Sequence, residues 1–433
     1  MKPTMRRGHQ ARWVRSVLAG ALAAVVVTGC AGVPAPEPTP DPNRFEEHGP
    51  IMFAAPDDSP GWAAAVTAWN RANPTQPVTL RALSTNPDQR YTALSDAAKA
   101  GRGDYTVMAL DQDWVAEFAA NDWITELPTD TFGTDALLGS VAAAGTYEGR
   151  RYGFGVSTDA AMLYYRKDLL DRAGVKAPTT WNQLTAACSA VRARQLGMNC
   201  LGMALASTDD RTGSLAQAIY SAQGSLVDDT GAVVVTSPAA TTGVNWLSTA
   251  VANGTVPKSA LTWHDDQAVQ AFADGDVVFL QSGTVAWRAA QAATSASRVS
   301  GKIAVGRLPG AAAAGVPVSS GYQLALSAKG RNQGTAADFM RWLAGDQAQR
   351  LLLSEGSLAP VLASLYTDAQ LKPQPQFMVF ADAIKASRPL PQTAKFAQFS
   401  KDVSEGLSPV LTGQTTAAEA LPKLQQKLSD LLK

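Results

Sequence analysis

Short apolar runs alternate with longer stretches of helical spacing along most of the chain. Ile51–Ala55 is a run of the kind found in buried strands, closed by the turn residues Pro56-Asp57-Asp58-Ser59-Pro60-Gly61. Trp62, Val66 and Trp69 then recur at helical spacing up to Ala72. Val78–Leu83 alternates as a strand, 91–100 has helical composition, and 105–110 is another buried strand stopped by Asp111-Gln112-Asp113. A helix from Trp114 to about residue 121 follows. Further strands are predicted at 153–157, 161–165, 201–205, 277–280 and 321–326, and Thr180 is placed to cap a helix starting at Trp181. From Thr335 the pattern turns helical, over 335–354, 376–387, 392–406 and 416–432. Such alternation favours the α/β class, with largely parallel strands covered by helices.

The first thirty residues break this pattern. Lys2, Arg6, Arg7, Arg12 and Arg15 precede the uncharged apolar run Val17–Val27. Eleven residues are too few for a helix spanning a bilayer about 30 Å thick, but they suit the core of a secretory signal. Val27-Thr28-Gly29-Cys30 resembles the lipobox of bacterial lipoproteins, which implies lipidation of Cys30; an ordinary secretory signal with a chance cysteine is the other reading. Prolines at 34, 36, 38, 40 and 42 favour an extended tether through residue 50.

Composition narrows the function. The 433 residues carry 37 basic and 37 acidic side chains. Without the five basic residues of 1–29 the balance is 32 against 37, which argues against nucleic acid as a partner. Setting Cys30 aside leaves Cys188 and Cys200, a local pair expected to close as a disulfide in an exported chain. No metal site is expected. No phosphate loop, dinucleotide fingerprint, HExxH or GxSxG occurs, so no cofactor is expected. His264, beside Asp265 and Asp266, is read as a surface or structural residue, with a Ser–His–Asp hydrolase left open. Paired carboxylates stand at Asp57/Asp58, Asp111/Asp113 and Asp265/Asp266. Ligands of open α/β sheets sit beyond the carboxyl ends of strands, which suits the first two pairs either as hydroxyl acceptors or as glycosidase carboxylates. Helix capping would account for each of them singly.

Several stretches, in order, resemble the family 1 extracellular solute-binding proteins of sugar ABC importers. They are 104–118, 152–169, Pro178–Leu184, Phe272–Phe279 and Leu351–Tyr366, and they are nearest to actinobacterial disaccharide- and trehalose-binding lipoproteins. The resemblance implies a two-lobe fold, each lobe a mainly parallel sheet flanked by helices, joined by hinge strands near 154–158, 279–283 and 316–320. One lobe would hold 51–156 plus 283–317, the other 158–280 plus 320–433. It further implies a carbohydrate ligand between the lobes, ABC permease subunits as partners, and a lipid-anchored monomer on the outer face of the membrane that performs no reaction. Position by position it points to Asp111, Asp113, Trp114, Asp159, Trp287, Gly321, Tyr322 and Arg388 as ligand-binding, with Phe396 just beyond. Two aromatic platforms frequent in the family are absent or reduced, at Gln281-Ser282-Gly283-Thr284-Val285 and at Ser320-Gly321-Tyr322. A secreted glycan hydrolase and a ligand-sensing lipoprotein are the alternative readings.

Overall fold

The computed structural model describes residues 45–194, 198–206, 208–293, 295–371 and 375–433. The signal, Cys30 and the tether up to residue 44 lie outside the described residues. Among those described, no helix is long and apolar enough to cross a membrane.

Two sheets carry the architecture. In the first, the strand order is Val78–Leu83, Ile51–Pro56, Val107–Asp111, Tyr322–Leu326, Phe154–Gly155. In the second it is Ile303–Gly306, Met162–Arg166, Val277–Ser282, Asn199–Gly202. The two-lobe α/β expectation is met, but parallel pairing is confined to the first three strands of one sheet and to Val277–Ser282 with Asn199–Gly202 in the other. Strands that enter a sheet after a crossing lie antiparallel to their neighbours.

Both faces of the inner strands are covered, which is why Ile51–Pro56, Val107–Asp111 and Val277–Ser282 read as near-continuous apolar runs. Phe53 faces Trp62 and Phe339, with ring centroids 5.7 and 5.3 Å away. Its neighbour Ala54 packs on the opposite face in a cluster with Leu94, Leu110 and Trp114. Thr180 caps the helix Trp181–Arg192, its hydroxyl accepting the Gln183 N–H while the Gln183 side chain returns to the Thr180 N–H. The helix expected over 335–354 is two helices, Gln333–Leu343 and Asp346–Gly356, because Gly345 between them is extended.

The segment boundaries differ from the expected division. Ile303–Gly306 pairs with Met162–Arg166, so 283–317 stays with the second sheet. Tyr322–Leu326 pairs with Val107–Asp111, so the chain from 320 rejoins the first sheet. The reason is local: after Val277–Ser282 the chain turns at Gly283 into the helix Ala286–Ala290, which packs against Asp265–Ala273 of the same lobe. No crossing occurs near 279–283. The remaining crossing falls between the helix Asp346–Gly356, packed on Gly61–Ala72, and the helix Pro375–Ala386, packed on Met162–Arg166 and Ile303–Gly306. The last two helices, Phe396–Leu411 and Ala417–Leu431, pack with Pro238–Ala252 of the second lobe.

Two of the crossings run side by side. Asp159–Ala160 pairs antiparallel with Ser319–Ser320. Gly321 holds φ +134°, and a Cβ there would lie 2.4 Å from the Ser157 carbonyl oxygen. Any side chain at 321 would push the crossings apart.

Cys188 and Cys200 form a disulfide that staples Trp181–Arg192 to Asn199–Gly202, with Cα atoms 5.6 Å apart. Closing a loop of this size removes unfolded-chain entropy worth about 3 kcal/mol. The double variant Cys188→Ser, Cys200→Ser is expected to lose roughly that much stability in a urea melt, and reduction of the wild type to give the same loss.

Candidate functional site: a carboxylate-lined cleft

The carboxyl ends of strands from both sheets open onto one cavity of about 560 Å³. The first lobe supplies Asp57 and Asp58 after Ile51–Pro56, Arg90 from the helix Pro87–Ala100, and Asp111, Asp113 and Trp114 after Val107–Asp111. The second lobe supplies Asp209 and Asp210 at the start of Asp209–Ser221, Asp265 and Asp266 at the start of Asp265–Ala273, and Arg288. The paired crossings form the floor through Asp159 and Gly321, with Tyr322 beside them. Nine aspartates line the cavity against two arginines, and this imbalance governs its chemistry.

One arginine is committed within the wall. The Arg90 guanidinium donates to both Asp111 carboxylate oxygens at 3.0 and 2.7 Å. It lies 5.3 Å from the Trp114 ring and 5.9 Å from the Tyr322 ring. Burial works against the Arg90 cation, but Asp111 outweighs burial and holds the guanidinium charged. The Arg90 Nε is buried and has no partner.

Most of the other carboxylates have N–H or O–H donors but no cation. Asp58 accepts from the Tyr322 hydroxyl at 2.6 Å and the Trp62 indole at 3.1 Å. Asp159 accepts the Thr284 and Ala160 N–H groups, each at 2.8 Å. Asp265 accepts from the Ser282 hydroxyl at 2.8 Å. Asp209 accepts from the Ser400 hydroxyl and, across the cleft, from the Trp114 indole at 3.2 Å. Burial pushes Asp159 up to about 6, and Asp209 and Asp265 each up to about 7, against the pull of these donors. Asp113 is raised well above the usual range by burial and by the like charges of Asp111 and Asp209.

A glycine makes room for Asp159. A Cβ at Gly283 would lie 2.0 Å from an Asp159 carboxylate oxygen. The stretch 281–285, where the family resemblance leads one to expect aromatics, carries none, and the Asp159 carboxylate fills the space beside Gly283.

Of the residues singled out from sequence, Asp111, Asp113, Trp114, Asp159, Gly321 and Tyr322 line the cavity, as does Phe396. Two do not. Trp287 packs against the hydrophobic core, because the helix Ala286–Ala290 turns Arg288 and Ala289 toward the cleft instead. Arg388 donates to the Gly224 carbonyl at 3.1 Å and the Ser225 hydroxyl at 3.0 Å, and lies 4.5 Å over the Tyr220 ring. Its backbone bridges Val318, so it braces a crossing and does not face the ligand space. Sequence reasoning missed Arg90, Arg288, Asp209 and Asp210. The acidic first turn Asp209-Asp210 after an apolar strand was the available signal.

Asn86 and His264 meet across the cleft mouth, with Asn86 Nδ2 2.8 Å from His264 Nε2. The Asn86 Oδ1 already accepts the Gln89 N–H at 3.1 Å, so its amide N–H₂ faces the imidazole and Nε2 is the acceptor. Nδ1 then carries the proton toward Asp210. Both ring nitrogens are engaged, and among the described residues no serine hydroxyl is hydrogen-bonded to either.

The sequence pattern of the bacterial extracellular solute-binding proteins matches residues 64–379. The chain belongs to that family. A probable ABC transporter-binding protein of Deinococcus radiodurans is 32% identical over 286 residues, 63% of this chain and 67% of the relative. The solved structure of maltose-bound T. maritima MalE3 superposes with a TM-score of 0.82 at 23% identity, over 88% of this chain and 99% of that one. The GacH receptor of Streptomyces glaucescens, solved unliganded and with acarbose, gives 0.78 at 21% identity, over 89% and 98%. At these identities the two structures establish a shared fold. In this solute-binding protein the cleft is walled largely by aspartates.

The raised carboxylates make a signed prediction. The folded state keeps a proton on Asp265 that the unfolded chain releases between about pH 4 and pH 7, so this group's contribution to stability is lost as pH rises through that window. Asp265→Asn keeps an acceptor for Ser282 and removes the titration. Urea melts at several pH values are expected to show the variant gaining stability relative to wild type from about pH 4 to about pH 7.

Proposed function

We propose that this solute-binding protein captures a carbohydrate, a disaccharide or short oligosaccharide, and delivers it to the permease subunits of an ABC importer. It acts as a monomer, performs no reaction, and is held to the outer face of the membrane by a lipid on Cys30. The observation that carries the reading is the cleft itself. Its volume suits a small solute. Its walls come from both lobes and are dominated by hydrogen-bond acceptors. Carboxylates at strand ends and the helix-borne Arg288 are the partners that sugar hydroxyls require, while the small number of aromatic faces limits stacking. The relatives support it at a distance: the Deinococcus protein is named as ABC transporter-binding, and the two structural neighbours were solved with maltose and with acarbose.

Ligand contacts made to both lobes at once favour the closed arrangement, and the crossings at 156–161 and 307–321 are the segments that would flex. Bonds already reach across the cleft, from Asn86 to His264 and from Trp114 to Asp209.

Thermal unfolding of the purified protein against mono-, di- and oligosaccharides tests the reading. A ligand at one hundred times its Kd adds about 2.7 kcal/mol of stability, so a true ligand is expected to raise the melting midpoint by several degrees. No response to any sugar overturns the carbohydrate assignment. Release of product from labelled oligosaccharides overturns pure binding. Separately, Cys30→Ala is expected to move the protein from the membrane fraction to the soluble fraction; retention at the membrane overturns the anchor.

A further inference from the structure

The charge balance of the cleft leads beyond a neutral sugar. Nine carboxylates face two arginines there, and Arg90 is spent on Asp111. Asp159 and Asp265 form no ion pair among the described residues; their partners are backbone N–H groups and a serine hydroxyl. These donors satisfy lone pairs but leave the charge unopposed, and unopposed charge in a desolvated site is costly. A metal ion is not the natural counter-charge, because among the described residues no three or more His, Cys, Asp or Glu side chains are grouped as a metal shell.

Nor is Arg90 that counter-charge. Arg90 lines the same cavity, is 4% exposed, and holds a buried Nε with no protein partner. That nitrogen is enclosed by the protein, and the other guanidinium nitrogens are spent on the Ser84 and Thr85 carbonyls and on Asp111, so Arg90 offers the ligand no counter-charge to the carboxylates. On the other side, Gly283 leaves the space in which the Asp159 carboxylate sits. The ligand space therefore carries carboxylates without an ion-pair partner on the Asp159 and Asp265 side.

We propose that the ligand is an amino sugar or aminocyclitol, a hydroxyl-rich molecule whose protonated amine sits against Asp159 and Asp265. The inference rests on the carbohydrate reading above and specifies it. The ammonium supplies the missing counter-charge, and the ring hydroxyls donate to the remaining carboxylates of the wall. A neutral sugar meets only the second requirement, and a simple polyamine only the first.

Calorimetric titration of the wild-type protein decides this with matched probes. These are maltose, trehalose and cellobiose, each beside its 2-amino-2-deoxy counterpart, with spermidine as a cation lacking hydroxyls. The expected result is that an amino disaccharide binds about tenfold or more tighter than its neutral partner, the range for one hydrogen bond to a charged group. Asp265→Asn and Asp159→Asn, each checked for an unchanged circular dichroism spectrum, are expected to erase that advantage, so that the amino disaccharide binds the variant no tighter than its neutral partner does. Equal or tighter binding of the neutral sugars overturns the amine and leaves carbohydrate binding standing. Binding of spermidine alone overturns the sugar skeleton and the carbohydrate reading with it. No binding of any probe overturns both.

Discussion

Four residues of antiparallel ribbon, Asp159–Ala160 against Ser319–Ser320, set the geometry on which the cleft depends. The two sheets are independent layers, each with its own order. The paired crossings hold the carboxyl ends of both toward the same space. Gly321 permits the close approach of the two crossings, and Gln112 reinforces it, its side-chain amide donating to the Ser319 carbonyl at 2.7 Å. A hinge of so few residues can change its dihedrals while both lobes remain rigid, which is what closure on a ligand requires. Arg388 braces the same place from outside, through its backbone bridge to Val318.

Facing strand ends toward one another concentrates charge. A strand end is a natural place for an aspartate that caps a turn or begins a helix, and here such ends from both lobes converge. Each aspartate alone is unremarkable as a cap; nine around one cavity are an electrostatic problem. The protein answers it in part with Arg90, in part with hydroxyl and indole donors, and in part by holding protons on Asp159, Asp209 and Asp265 above their usual range. None of these removes the cost entirely. A ligand that completes the charge and hydrogen-bond balance gains affinity from relieving it, and because the carboxylates belong to both lobes, the same relief favours closure.

Much of this was legible along the chain, for identifiable reasons. Asp111 and Asp113 were readable because a buried strand stops on them, and a strand stop in an α/β sheet lies at the binding edge. Asp159 and Gly321 were readable through the resemblance at the crossings. Arg90 was not, because a helix charge reads as solvated until its partner, 21 residues later, is known. Trp287 was misplaced because a helix of five residues, Ala286–Ala290, leaves its facing undetermined by spacing. The lobe membership of 283–317 was misread because sequence order does not say which sheet a strand joins. That choice rests on hydrogen bonds between Ile303–Gly306 and Met162–Arg166, over a hundred positions apart.

The region around Gly283 shows how specificity can shift without a change of fold. The family resemblance leads one to expect an aromatic platform there, against which a sugar ring would stack. In this chain 281–285 reads Gln-Ser-Gly-Thr-Val; the missing Cβ of Gly283 leaves the volume that the Asp159 carboxylate occupies, and the following N–H, of Thr284, anchors that carboxylate. The stretch presents no aromatic face, and a carboxylate lies against it. Aromatic stacking is indifferent to the ligand's substituents so long as a C–H face is presented. A carboxylate discriminates by charge and by hydrogen-bond donors, at short range and in a medium where water screens poorly. With Trp287 turned into the core and Trp114 and Tyr322 both engaged with Arg90, recognition in this cleft falls to polar groups, and the identity of the ligand follows from the charge it must bring.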